Sequence, residues 1–207
     1  MTFLDGIHHR HVLGRRVEVL STHVAALLPP EARVLDVGCG DGHMARAVAA
    51  RRPDIAIEGI DVLVRPDAAI PVVAFDGACI PLADASVDAV LFIDVLHHTP
   101  DPAVLLAEAA RVSRRTVIIK DHLADGVMAE ATLRFMDRVG NARHGVALPY
   151  NYWRRRQWRE AFAASGLTVE VWREKLALYP APASLVFDRS LHLLTRLRPP
   201  AARIRTQ

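Results

Sequence analysis

The chain is poor in cysteine, with only Cys39 and Cys79 among its 207 residues. That permits at most one disulfide and excludes both a cystine-stapled scaffold and a cysteine-rich zinc module. Long apolar runs are lacking as well, since no stretch reaches the roughly 18 residues that a membrane span requires. Met1 to Arg16 carry His and Arg and no continuous apolar block, so a signal peptide is not expected and cytoplasmic residence is. Internal repeats are absent. So is the Lys-Ser/Thr pair that would make a glycine loop a P-loop.

What remains is enough for a packed core. Hydrophobic residues make up 51% and charged residues 24%, which fits one globular domain and argues against global disorder. The net charge of +3 is uneven, concentrated in Arg154–Arg156 and in the tail from Arg196 to Arg205. Solvated arginines on a helix start and a tail account for it, with attraction for anionic partners as the alternative.

Hydrophobic period reads as alternating helices and strands. A leading helix over residues 8–28 is stopped by Pro29-Pro30, and Arg33–Val37 is a short apolar run that suits a buried parallel strand. A helix follows over Gly42–Arg52, then strands at Ile55–Ile60, Val72–Phe75 and Ala89–Ile93. Asp101 caps a helix to Val112 with Pro102 in its first turn, and Thr116–Lys120 is a fifth strand. Beyond it the chain reads as a helix from about Asp125 to Val139 and a loop from Gly140 to Tyr150. A second helix over Tyr152–Ser165 is closed by Gly166, and Thr168–Arg173 is a sixth strand. Ala177–Ser184 reads as loop, and Arg189–Leu197 as a seventh strand rather than a short helix.

The expected architecture is an α/β, Rossmann-like, doubly wound sheet of seven mostly parallel strands. It comprises an N-terminal helix (1–30), a cofactor-binding half (32–123), a helical cap insertion after strand five (124–152), a C-terminal helix and strands (153–197), and a flexible basic tail (198–207). Ligands in such sheets bind at the C-terminal strand ends.

The densest motif is Leu35-Asp36-Val37-Gly38-Cys39-Gly40-Asp41-Gly42, a strand, an acidic residue and three alternating glycines before a helix. Glycines there let the main chain turn sharply and approach a ligand that any Cβ would block. The third glycine falls one residue too early for the dinucleotide pattern G-x-G-x-x-G. In this spelling, the turn resembles that of the class I S-adenosylmethionine (SAM) dependent methyltransferases, particularly their small-molecule branch. The likeness continues through Gly59-Ile60-Asp61, through Asp76-Gly77, and through the segment from Phe92 to Pro102 that contains Leu96-His97-His98. It covers about Ala32 to Val117 and fades afterwards.

The resemblance implies SAM as cofactor and S-adenosylhomocysteine as product. It implies that Asp36 and the turn of Gly38, Cys39, Gly40 and Gly42 hold the amino-acid end. Asp61, with Val62, would hold the ribose hydroxyls, and Asp76-Gly77 the adenine, while Asp94 would face the cofactor. For an O–H or N–H acceptor a base is useful, and the titratable candidates are His98, Asp121, His122 and His144, with imidazole suited to neutral pH. His97, Met136, Tyr150 and Tyr152 are candidate acceptor contacts in an apolar cap.

Asp94, His97 and His98 occupy a segment where ubiquinone-pathway O-methyltransferases place metal ligands, but His stands where they have Glu, and no metal is expected. The expected partner is a small acceptor, probed first for O-methylation, and the chain is read as a monomer or homodimer. DNA is not expected, because the (N/D)-P-P-(Y/F) segment of adenine methylation is replaced by Ile93-Asp94-Val95-Leu96. Two alternatives stay open: an RNA or protein methyltransferase, and a SAM-binding protein that transfers no methyl.

Overall fold

In the computed structural model, which describes residues 3–141 and 150–201, one sheet carries the site. Its first strand, β1 (Arg33–Val37), buries every residue after Arg33, as a strand covered on both faces must. With it run β2 (Ala56–Asp61), β3 (Val72–Ala74), β4 (Val87–Ile93) and β5 (Ser113–His122). Adding β6 (Thr168–Arg173) and β7 (His192–Arg198), the order is β3-β2-β1-β4-β5-β7-β6. The first five strands pair in parallel, and β7 lies antiparallel between β5 and β6. Strand order reverses between β1 and β4, so the ligand crevice of this doubly wound sheet opens above the ends of those two strands.

The helices are α1 (Phe3–Ala25), α2 (His43–Arg51), α3 (Pro102–Val112), α4 (Ala129–Asn141), α5 (Arg155–Ala164) and the single turn α6 (Ser184–Phe187). The Asp101 side chain accepts a hydrogen bond from Ala103 N–H at the start of α3, the capping that the sequence pattern implies. Period-two alternation divides the core. Leu35, Val37, Val117 and Ile119 pack with Leu105, Leu106, Trp158 and Phe162 on one face. On the other, Val34, Leu91 and Ile118 pack with Leu20, Val24 and Val48. A smaller cluster of Ala124, Ala129, Leu133, Tyr152 and Leu191 seats the cap.

Several boundaries differ from the sequence reading, three of them for reasons that the structure makes plain. The cap helix begins at Ala129 rather than near Asp125, because Gly126 and Met128 take positive φ of 105° and 59° and interrupt it. Helix α5 begins at Arg155 rather than Tyr152: Trp153 C=O accepts from Ala124 N–H at 3.0 Å, and Gln157 Oε1 accepts from Arg154 N–H, which marks the helix start. Strand β5 continues through Asp121 and His122, which apolar periodicity cannot register because those residues are polar yet buried.

Gly59 illustrates how tightly the crevice floor is packed. A Cβ there would lie 2.4 Å from Cys39 Sγ and 3.1 Å from Ile70 Cδ1. Gly59→Ala is expected to cost about 1–3 kcal/mol by overpacking. Adding Cys39→Ala should recover part of that loss in denaturant melts, and a double variant no more stable than Gly59→Ala alone would contradict the contact.

Candidate active site

The glycine turn is built on backbone conformations that L side chains avoid: Gly38, Gly40 and Gly42 have φ of 70°, 59° and 72°. A Cβ on Gly38 would meet Val95 at 2.7 Å and one on Gly42 would meet Ile70 at 2.7 Å, whereas one on Gly40 would meet nothing within 4 Å. Two of the glycines therefore serve close packing, and Gly40 leaves its main chain facing open space. The turn is fastened by Asp61 at the end of β2. Its carboxylate accepts hydrogen bonds from Gly40 N–H at 2.8 Å and from Leu63 N–H at 2.9 Å. Asp76 closes the next corner, accepting from Ala78 and Cys79 N–H at 2.8 and 2.7 Å. Those two bonds hold its carboxyl below the usual range.

These corners surround a cavity of about 660 Å³, whose lining includes Gly38, Gly40, Asp61, Val62, Asp76, Gly77, Asp94 and His98. Asp36, Cys39 and Gly42 stand behind that lining. Burial, with Asp61 adding like charge, raises the Asp36 carboxyl to about 7. Burial likewise pushes the Cys39 thiol up to about 12, so it is no nucleophile at neutral pH.

Beyond the cavity wall lies a buried network of charged groups. Asp94, with φ of 57°, follows β4 and pairs through one carboxylate oxygen with Lys120 Nζ and through the other with Arg16 of α1. Lys120 is fully buried. Burial opposes ionisation of Asp94, but Lys120 and Arg16 hold its carboxyl well below the carboxylate range. Next to it, His97 Nδ1 lies 2.6 Å from Asp121 Oδ1, and Leu96 and His122 N–H donate to the same carboxylate at 2.9 and 2.7 Å. Asp137 from α4 approaches from the other side, with its oxygens 3.4 Å from His97 Nε2 and 3.6 Å from His122 Nε2, and it accepts the Tyr152 hydroxyl. Burial works against charge on His97, yet Asp121 and Asp137 outweigh it and raise its pKa to about 10. His98, with ring centroid 3.9 Å from that of His97, is pushed down to about 4 by burial and by the charge on His97. His122 is lowered by burial and by Lys120.

The predicted residues are thus sorted by depth. Of the four base candidates, His98 reaches the cavity; Asp121 and His122 are buried behind it, and His144 lies outside the described residues. His97 is buried against Asp121. Met136 and Tyr150 pack with Tyr152 in the cap cluster. The sequence reading missed Asp137 and Arg16, and it counted Lys120 only among the titratable groups after strand five without giving it a role. No motif surrounds Asp137 or Arg16, and only their convergence marks them. Among the described residues, His97, His98 and Asp137 could hold a metal ion, with ligand atoms within 4.8 Å of one another. Asp94, the carboxylate nearer in sequence, is engaged by Lys120 and Arg16.

Fold and site together define an α/β protein that binds a nucleoside cofactor at the switch point of its sheet. A methyltransferase domain model matches residues 6–171, and the chain belongs to that family. It is 32% identical over 131 residues to 27-O-demethylrifamycin SV methyltransferase of Amycolatopsis mediterranei, covering 53% of this chain and 48% of that protein. It is 30% identical over 165 residues to dimethylglycine N-methyltransferase of Parasynechococcus marenigrum, covering 72% and 55%. The chain thus spans about half the length of these curated relatives. A putative methyltransferase solved in complex with the Haloferax volcanii Trm112 activator shares the fold, with a TM-score of 0.69 at 21% identity over 95% of this chain and 93% of that one.

The cofactor is S-adenosylmethionine, and the residues present fit it. Asp36 is a buried carboxyl raised by desolvation and by a second carboxylate, a place suited to a cationic ligand. The open face of Gly40 and the cavity corners at Asp61 and Asp76 match an extended nucleoside.

Two pH effects follow. A cationic ligand favours ionised Asp36, so SAM binding near pH 7 should release about half a proton; calorimetry in buffers of different ionisation enthalpy measures this, and no release would detach Asp36 from the cofactor. His97 has a folded pKa of about 10 against roughly 6.5 unfolded. Its contribution is therefore fully present below pH 6.5 and lost as pH rises through 10. Denaturant melts should show the unfolding free energy falling by on the order of a few kcal/mol across that window, and less so in Asp121→Asn.

Proposed function

We propose that the chain transfers the methyl group of SAM to a small acceptor, apolar or aromatic in character, with an O–H nucleophile favoured over nitrogen or carbon. The observation that carries this reading is the single cavity in which the three cofactor corners and the His98 imidazole share one wall. When bound, SAM supplies a methyl group already activated on a sulfonium centre. The remaining work of the protein is alignment, exclusion of water and removal of a proton.

His98 is the group for that proton. Its lowered pKa keeps it neutral at pH 7, with a lone pair available to an acceptor hydroxyl. Behind it, His97 is held charged between Asp121 and Asp137. Adjacent groups whose pKa values are driven apart in this way are a signature of acid–base machinery. Asp121 and His122, buried in β5, act in this scheme by fixing His97 and the strand end, without reaching the acceptor. Asp61 secures Gly40, and the positive-φ backbone of Asp94 at the cavity wall is held by Lys120 and Arg16. The apolar part of the cavity lining, Val62, Leu63, Phe75, Val95, Val104 and Leu105, supports an acceptor of low charge, whereas Tyr150, Tyr152 and Met136 pack in the cap cluster outside that lining. The relatives are a 27-O-demethylrifamycin SV methyltransferase and a dimethylglycine N-methyltransferase, so O and N acceptors both belong in the test.

Incubation with methyl-labelled SAM and a panel of phenols, catechols, hydroxylated macrocycles and amines should release S-adenosylhomocysteine with label in an acceptor. Binding of SAM with no turnover on any of them would favour a non-transferring role. His98→Ala should lower kcat by about 10²- to 10⁴-fold, the usual worth of a general base, with SAM affinity within a few-fold of wild type. Asp61→Ala should instead weaken SAM binding, and an unchanged calorimetric Kd would remove Asp61 from the cofactor site.

A further inference from the structure

The cap and the reaction centre meet at Asp137. Of the two acidic residues of α4, Glu130 is exposed, whereas Asp137 is 6% exposed and points inward from a helix that leaves Phe135, Arg138 and Val139 in solvent. An apolar cap needs no such residue: Ala124, Ala129, Leu133 and Leu191 already pack around Tyr152. A buried carboxylate is costly unless it is matched, and here every match comes from the site. The groups facing His97 are Asp121 and His122 from β5, Asp94 from the end of β4, His98 from its own turn, Asp137 from α4 and Tyr152 from the segment before α5.

We propose that Asp137 is a positioning residue for methyl transfer: it completes the pairing of His97 begun by Asp121, and so anchors the cap over His98. This rests on the reading of the site given above. His97 Nδ1 lies 2.6 Å from Asp121, whereas Nε2 lies 3.4 Å from Asp137 and makes no hydrogen bond in this arrangement; with a proton on each nitrogen, the two carboxylates face the ring at both ends. The ring is thereby held from two sides, and His98, whose ring lies 3.9 Å away, is held with it. Tyr152, donating to Asp137, ties the far end of the cap to the same carboxylate. Without Asp137 the Nε2 proton has no carboxylate partner, and α4 loses its polar attachment to the turn at Leu96–His98.

Asp137→Asn keeps the shape and an acceptor for Tyr152 while removing the charge. In imidazole ¹⁵N NMR, wild-type His97 should be doubly protonated at pH 8, and its titration midpoint should fall by about one unit or more in Asp137→Asn, as expected for loss of an adjacent opposite charge. With the best acceptor of the panel above, kcat should fall about tenfold or more and its alkaline limb should shift to lower pH. SAM affinity should stay within twofold, and Asp137→Glu should restore part of the limb. A uniform loss of kcat with the limb unmoved would reduce Asp137 to packing and overturn the proposal. If the variant does not fold, the wild-type NMR still decides, because a neutral His97 at pH 8 overturns it. Visible d–d bands on adding Co²⁺, abolished by Asp137→Asn, would make the cluster a metal site and equally overturn it. Failure of wild type to bind SAM would instead strike the cofactor reading, leaving the His97 titration as an independent result.

Discussion

The structure turns on a buried exchange of charge at the C-terminal ends of β4 and β5. With His97 protonated, three cations, Arg16, Lys120 and His97, face three carboxylates, Asp94, Asp121 and Asp137. None of these groups would be tolerable alone in such a place; removing one member of a buried pair typically costs about 3–5 kcal/mol, because its partner is left uncompensated. The set is closed only when the N-terminal helix, the central strands and the cap are all in place. A balanced buried network therefore contributes less to net stability than to specifying one arrangement of those parts.

That constraint explains the division of labour around the cavity. On one side, the glycine turn, Asp61 and Asp76 are held by hydrogen bonds to backbone N–H groups at the ends of adjacent strands. On the other, Asp94 and His98 depend on residues brought from α1, β5 and α4. The cofactor half is local in its physics, and the chemical half is collective.

Legibility in the sequence followed the same line. The succession of strands and helices, the α3 cap at Asp101 and the positions of Asp61 and Asp76 at strand ends were readable, since apolar period, glycine spacing and capping residues act over a few neighbours. The end of β5 was not. Asp121 and His122 look like the start of a loop, and they remain in a strand because distant groups satisfy them: His97 for Asp121, and Trp158 Nε1–H for the carbonyl of His122 at 3.0 Å. The start of α5 was misplaced for a like reason, as Trp153 is committed to Ala124.

By itself, then, the sequence determined that this is a doubly wound α/β protein with a SAM-type turn, and it singled out the histidines after strands four and five as candidates for the chemistry. Those properties rest on interactions between near neighbours, which residue order encodes directly. Only the tertiary structure decided which histidine faces the cavity, which lies between carboxylates, and that Asp137 of α4 approaches His97 and His122. Burial and long-range charge set the protonation and orientation of each ring, and both depend on residues about 15 to 80 positions apart meeting in one unsolvated volume.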